Sequence, residues 1–171
     1  MSQSPIAHVS RNDKGDWRPP HDLAEHLAGV AKLAACFARA IGEDWARLAG
    51  LWHDLGKYRP GFQRYIRNQS GFERENAHIE GEGQRVEHSA AGAVHAIDTL
   101  GDIHGRLLAY LIAGHHTGLP DWNGAPSSLF QRLDKARREG HLDEALSEKP
   151  PKAIIDASGL KPLSRPKGEA E

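Results

Sequence analysis

From His21 to Ile41 apolar residues return at alternating steps of four and three, at Leu23, Leu27, Val30, Ala34, Phe37 and Ile41, while Glu25, Lys32 and Arg39 fall opposite. That period predicts an amphipathic helix ended by Gly42. His26 lies in its apolar sector beside Val30, Leu33 and Phe37, so its imidazole should point inward. Asp44 fits the N-cap of a second helix, with Trp45, Leu48, Leu51, Trp52 and Leu55 on its buried face and Gly56 as its stop. His88-Ser89 opens a third helix on Ala90, Ala93, Val94, Ile97 and Leu100. Gly101 separates it from a fourth, whose core stripe is Leu107, Leu108, Leu111 and Ile112; His115 and His116 continue that face until Gly118 and Pro120 close it. Residues 128–139 predict another helix on Leu129, Phe130 and Leu133, with Lys135, Arg137 and Arg138 solvated, and residues 141–148 a short one. No convincing strand alternation or internal repeat interrupts this, so the predicted fold is all-α, a bundle of about five or six helices.

Three stretches fall outside the pattern. Residues 1–20 are polar and end in Pro19-Pro20, an extended leader. Residues 58–87 are broken by Pro60, Gly61, Gly71, Gly81 and Gly83 and turn acidic at Glu73, Glu75, Glu80, Glu82 and Glu87, a long surface loop with one short helical piece around Phe62, Tyr65 and Ile66. His78 lies in that loop without an apolar frame and is left out of any site. From Lys149 onward, Pro150, Pro151, Pro162 and Pro166 with Lys152, Lys161 and Lys167 describe a disordered tail, 149–171, that buries no core. One domain, 21–148, remains.

Composition agrees with one soluble domain: 171 residues, 39% hydrophobic and 26% charged. With 22 Lys and Arg against 23 Asp and Glu, no basic excess marks a strong nonspecific grip on nucleic acid. If DNA is the partner, other chains supply much of the phosphate affinity. The lone Cys36 excludes an internal disulfide and, in an apolar helical pattern, suggests packing in a reducing compartment. No apolar run is long enough to span a bilayer, no signal-peptide core opens the chain, and a cytoplasmic location without membrane contact is expected. Eleven histidines stand out and turn attention to metal or acid–base chemistry.

The chemistry centres on Leu51-Trp52-His53-Asp54-Leu55-Gly56-Lys57. Neutral imidazole and ionised carboxylate are ligands for divalent cations, and a carboxylate can bridge two. In the last turn of a helix His53 and Asp54 point about 100° apart, approaching a centre from two sides. Lys57 follows as a mobile cation suited to a phosphate oxygen. His26, His88, His115 and His116 are the further candidate donors. Each has a bland alternative on its own: a hydrogen-bonded core histidine at His26, a frayed helix end at His53-Asp54, a solvated helix start at His88, and carbonyl capping at His115 and His116. His88 also faces an unfavourable helix dipole, which a nearby carboxylate would offset.

Taken together, His26, His53-Asp54-Leu55-Gly56-Lys57, His88-Ser89 and Gly114-His115-His116-Thr117-Gly118-Leu119-Pro120-Asp121-Trp122 resemble the HD phosphohydrolase superfamily. Lys57-Tyr58-Arg59-Pro60-Gly61-Phe62-Gln63 and the run from Ala113 to Trp122 are similar, more narrowly, to the CRISPR-associated HD nuclease domain that accompanies the type I effector helicase. The likeness covers about residues 21–134. It implies one metal on His26, His53 and Asp54, a second on Asp54, His88, His115 and His116, and Lys57 near the scissile phosphate. It further implies hydrolysis of single-stranded DNA in antiviral defence, with a helicase and an RNA-guided surveillance complex as partners. One or two divalent ions are expected, and manganese, iron, cobalt, nickel, magnesium and zinc all remain compatible. The family pattern adds a downstream aspartate to the first metal, and Asp134, Asp143 and Asp156 do not stand in that context. The first site is therefore expected to be a carboxylate short and the second to bind more tightly. Two other readings stay open, an HD phosphohydrolase of nucleotides or cyclic dinucleotides and a non-catalytic metal-binding remnant.

Overall fold

A computed structural model describes residues 4–70, 87–124, 127–158 and 160. Among them run seven α-helices and one two-stranded antiparallel sheet, an all-α architecture with a small hairpin at its edge. The acidic run with Gly71, Gly81, Gly83 and His78 lies outside the described residues, as do Lys161 to Glu171.

Helix α1 (Leu23–Phe37) starts where the Asp22 carboxylate accepts the Glu25 amide, 3.1 Å away. It buries Leu23 and Leu27 as the spacing suggested, and then Ala31 and Ala35 in place of Val30, Ala34, Phe37 and Ile41. Phe37 and Ile41 are 84% and 83% exposed, and Leu33 and Cys36 are exposed as well, so the inferred packing role of Cys36 is corrected. The reason is the crossing with α2 (Glu43–Trp52). A Cβ placed on Gly50 would stand 2.6 Å from Ala31 Cα, so the two backbones nearly touch and only small side chains fit between them. The alanines face in, and the larger residues turn outward. Helix α2 buries Trp45, Leu48, Leu51 and Trp52 as predicted, but Gly42 rather than Asp44 is its N-cap.

Asp54 links α2 to a 3-10 turn, Leu55–Tyr58. Pro60 and Gly61, read as breakers, open α3 (Pro60–Ser70), since proline is tolerated in a first helical turn. Helix α4 (Ser89–Gly114) is kinked at Gly101 (φ 75°, ψ 177°), where the sequence placed a break between two helices. Beyond the kink Gly105, Leu108, Ala109, Ile112 and Ala113 face the core, and Leu107 and Leu111 are exposed, again a shift toward the small residues. Helix α5 (Leu129–Arg138) buries Leu129, Leu133 and Ala136, while Phe130 stays half-exposed beside Trp122. Lys135, Arg137 and Arg138 pair with Glu139, Asp98 and Asp134 on its solvated face. Helix α6 (His141–Ser147) follows.

Both chain ends correct the sequence reading. Strand β1 (Ile6–His8) pairs with β2 (His21–Asp22), so part of the leader joins the fold with Ile6 and Ala7 buried. Pairing across a dozen residues leaves no local alternation to read. At the other end α7 (Lys152–Ile155) buries Ile154, whose carbonyl accepts the Trp52 indole N–H at 2.9 Å. The His95 ring donates to the Ile155 carbonyl at 3.0 Å. A proline-rich composition hid one turn anchored by the buried Ile154, with Ile155, Ala157 and Leu160 partly buried beside it.

That anchor is testable. Ile154→Ala should lower unfolding free energy by about 2–4 kcal/mol in urea titration. An unchanged midpoint would mean that α7 contributes nothing to the core.

Candidate metal centre

Three helices bring histidines to one carboxylate. Asp54 is 3% exposed, and its two oxygens face different neighbours. Oδ2 lies 3.4 Å from His26 Nε2, 3.1 Å from His53 Nε2 and 2.8 Å from Lys57 Nζ. Oδ1 lies 3.2 Å from His88 Nε2 and 3.5 Å from His115 Nε2. His26 comes from α1, His53 caps the end of α2, His88 is the N-cap of α4 and His115 its C-cap. All six sequence-assigned ligands therefore converge, with His26, His53 and Asp54 as one group and Asp54, His88, His115 and His116 as another.

The tautomers are set from behind. His53 Nδ1 lies 2.8 Å from the Gly50 carbonyl, and His115 Nδ1 lies 2.6 Å from the Ile112 carbonyl. A carbonyl can only accept, so both Nδ1 atoms carry a proton, and each Nε2, aimed at Asp54, is left either to donate to the carboxylate or, in the neutral ring, to ligate a metal. The same solution recurs because each ring sits just past a helix end, three residues beyond a carbonyl that the helix leaves unpaired.

Ring nitrogens in such close contact share either a proton or a cation. His26 Nε2 and His53 Nε2 are 3.3 Å apart, and His88 Nε2 and His116 Nε2 are 3.1 Å apart. Four ligands placed tetrahedrally 2.0–2.1 Å from an ion stand about 3.3–3.4 Å from each other. The nitrogen–nitrogen and nitrogen–oxygen edges match that spacing. Asp54 Oδ1 is fully buried yet makes no well-aligned hydrogen bond, although two imidazoles are near. An orphaned carboxylate oxygen surrounded by ring nitrogens is what a divalent ion would satisfy. The donor set thus fits a metal.

Burial by itself would raise the Asp54 pKa. Hydrogen bonding from His115, His26, His53 and His88 outweighs it and holds the carboxyl far below the usual carboxylate range. At His115 burial lowers the pKa, and the Asp54 carboxylate with the Ile112 carbonyl more than reverses this. At His116 burial, then His115 and His88, lowers it and favours the neutral, ligating ring.

Two expectations are corrected in detail. Lys57 is not a mobile cation: its ammonium is held by Asp54 Oδ2 and by the Ala7 carbonyl at 3.2 Å, with its side chain 13% exposed. His115 and His116 are not core residues either. They stand exposed at the rim, with the His115 ring partly covered against Asp54. The carboxylate needed at the start of α4 is present twice, in Asp54 and in Glu87, whose Oε1 accepts from the Ala90 amide at 2.9 Å and from Ser89 Oγ at 2.8 Å.

A profile of the HD domain matches residues 23–144. The chain belongs to the HD domain family. Membership implies a metal-dependent phosphohydrolase, in agreement with the ligand geometry. No curated protein matches the chain. Among the described residues no helix of this HD domain is long and apolar enough to cross a membrane.

Sequence reasoning missed Glu87 and Arg132 as the frame of His88. Arg132 Nη2 donates to Ser89 Oγ at 2.9 Å and its Nη1 to the Ala113 carbonyl at 3.0 Å, tying α5 to both ends of the histidine-bearing segment. Their only sequence signal was charge beside a helix start. The approach of His88 to Asp54 depends on Gly56, because a Cβ there would collide with the His88 carbonyl and stand 2.9 Å from its Cα.

Gly56→Ala should displace His88 and weaken metal binding at least about tenfold. Calorimetric titration of wild type and variant reads this directly, and equal affinity in a folded variant would refute it. The Oδ1 group also offers four donors against three, and Lys57 already occupies Oδ2. Manganese or zinc should therefore bind with two unequal affinities, His116→Ala removing the tighter and His26→Ala the weaker. Two ions held equally would contradict the asymmetry.

Proposed function

We propose that this HD domain hydrolyses phosphodiester bonds of single-stranded DNA, delivered by a helicase and an RNA-guided surveillance complex in antiviral defence. The observation carrying the reading is that His88, His116 and Lys57, which stand around the buried Asp54, line an open cleft. The cleft has a volume of about 470 Å³ and is bounded by Lys57, Phe62, Tyr65, His88, His116 and Arg132. A second cavity of about 480 Å³ between α1 and α2 contains no residue of the metal centre and is set aside.

The side chains divide the work. His26, His53 and Asp54, and Asp54, His88, His115 and His116, are the residues that would hold divalent ions. Ions held there lower the pKa of bound water and stabilise charge on the attacking and leaving oxygens of a phosphoester. Lys57 brings a fixed positive charge to the cleft wall beside Asp54, where a phosphate oxygen would be attracted. Tyr65, half-buried on α3 and backed by the buried Phe62, which packs on the His88 ring at 5.0 Å, gives the wall an aromatic side chain against which a base can stack without sequence readout. With a net charge of −1, productive delivery falls to partner chains.

A small-substrate reading has its own support, since a cleft of this volume also suits one nucleotide. One panel separates the two. Metal-loaded protein and a His53→Ala/Asp54→Ala control are incubated with single-stranded DNA, duplex DNA and nucleotides, and products are resolved by gel and chromatography. Cutting of single strands that the control abolishes and Lys57→Ala slows about 10²-fold is the expected result. Turnover of nucleotides alone would transfer the function to small phosphoesters, and silence on every substrate would leave a metal-binding module.

A further inference from the structure

Three histidines outside the Asp54 ring of ligands, or shared with it, gather at the edge of the hairpin. Register places His8 on β1 opposite His21 on β2, and His26 follows one turn into α1. Their rings meet edge to face, with centroids 4.8 Å apart for His8 and His21 and 5.6 Å for each with His26. One nitrogen from each lies within 4.8 Å of the other two. Among the described residues neither the His8 nor the His21 ring has a hydrogen-bond or carboxylate partner. Two of the three donors precede the matched family region, which begins at residue 23.

We propose that His8, His21 and His26 form a separate, all-imidazole cation site for a borderline divalent metal such as zinc, cobalt or nickel. Neutral imidazole suits these ions, and three such donors with open positions for water are a sufficient set. Nitrogens bound about 2 Å from one ion can be no more than about 4 Å apart. The remaining distance is closed by rotation of His8, which is exposed and free to turn.

The site has a consequence for the central one. A neutral imidazole has a single lone pair. His26 can therefore complete the hairpin site or the His26, His53, Asp54 group, but not both at once. An ion at the hairpin draws His26 away from Asp54 and leaves the Asp54, His88, His115, His116 group intact.

The test removes the competing group first. His53→Ala should still bind two equivalents of cobalt or zinc, about one at the hairpin and one at the Oδ1 group, by equilibrium dialysis and cobalt absorption. Adding His8→Gln and His21→Gln should remove about one equivalent while circular dichroism and the metal-free melt stay unchanged. A triple variant that keeps both equivalents overturns the proposal, as does a His53→Ala protein that binds only one. Nitrogen-15 spectra of the wild-type rings make the proposal independent of the variants. His8 and His21 resonances that move together on zinc addition support the site, and resonances that stay fixed overturn it.

Discussion

A buried ionised carboxylate is the constraint to which the rest of this chain answers. Removing such a group from water costs several kcal/mol even after relaxation, and the cost is tolerable only with compensation on every side. At Asp54 it comes from five groups on both oxygens: His26, His53 and Lys57 on one, His88 and His115 on the other. These groups enter from α1, the end of α2, the 3-10 turn and both ends of α4, so the helices are mutually positioned by one charge. Lys57 gives that charge a partner even without a metal.

Convergence on this scale requires backbones closer than ordinary side chains permit. Gly50 nests against Ala31, Gly56 against the His88 backbone and Gly92 against the Trp52 carbonyl. All three contacts lie within a few residues of His53 and Asp54. Trp52, fully buried immediately before them, anchors the same turn through its N–H to Ile154. Packing far from solvent and geometry at the metal centre are thus one problem. A methyl group added at any of these glycines would be felt as a displaced ligand, because close-packed interiors transmit small shifts.

The centre was legible in the sequence because its histidines terminate or interrupt periodic apolar segments. His53, His88 and His115 each sit where a helix starts or stops, and Gly56, Ser89 and Gly118 beside them are the residues that mark such ends. Facing was harder. Period alone cannot distinguish a stripe of large residues from an adjacent stripe of small ones, and in α1 and the second half of α4 tight crossings selected Ala31, Ala35, Ala109 and Ala113 over Leu33, Phe37, Leu107 and Leu111. His8, His21 and Ile154 were invisible for another reason. Their partners lie on β2, β1 and α2, and a pairing made only in three dimensions leaves no mark on local composition.

The two oxygens of Asp54 also assign the two sides of the centre different tasks. The Oδ2 side is roofed by the hairpin: Lys57 reaches back to the Ala7 carbonyl, and His8 and His21 stand beside His26. The Oδ1 side opens toward the cleft through His88 and the exposed His116, with Tyr65 on the facing wall. Among the described residues the hairpin closes one side of the carboxylate, and the cleft leaves the other accessible. Lys57 touches Oδ2 and also lines the cleft, so it spans both sides. Its ammonium, held by Asp54 Oδ2 and the Ala7 carbonyl, thus ties the carboxylate's charge to the wall of the cleft.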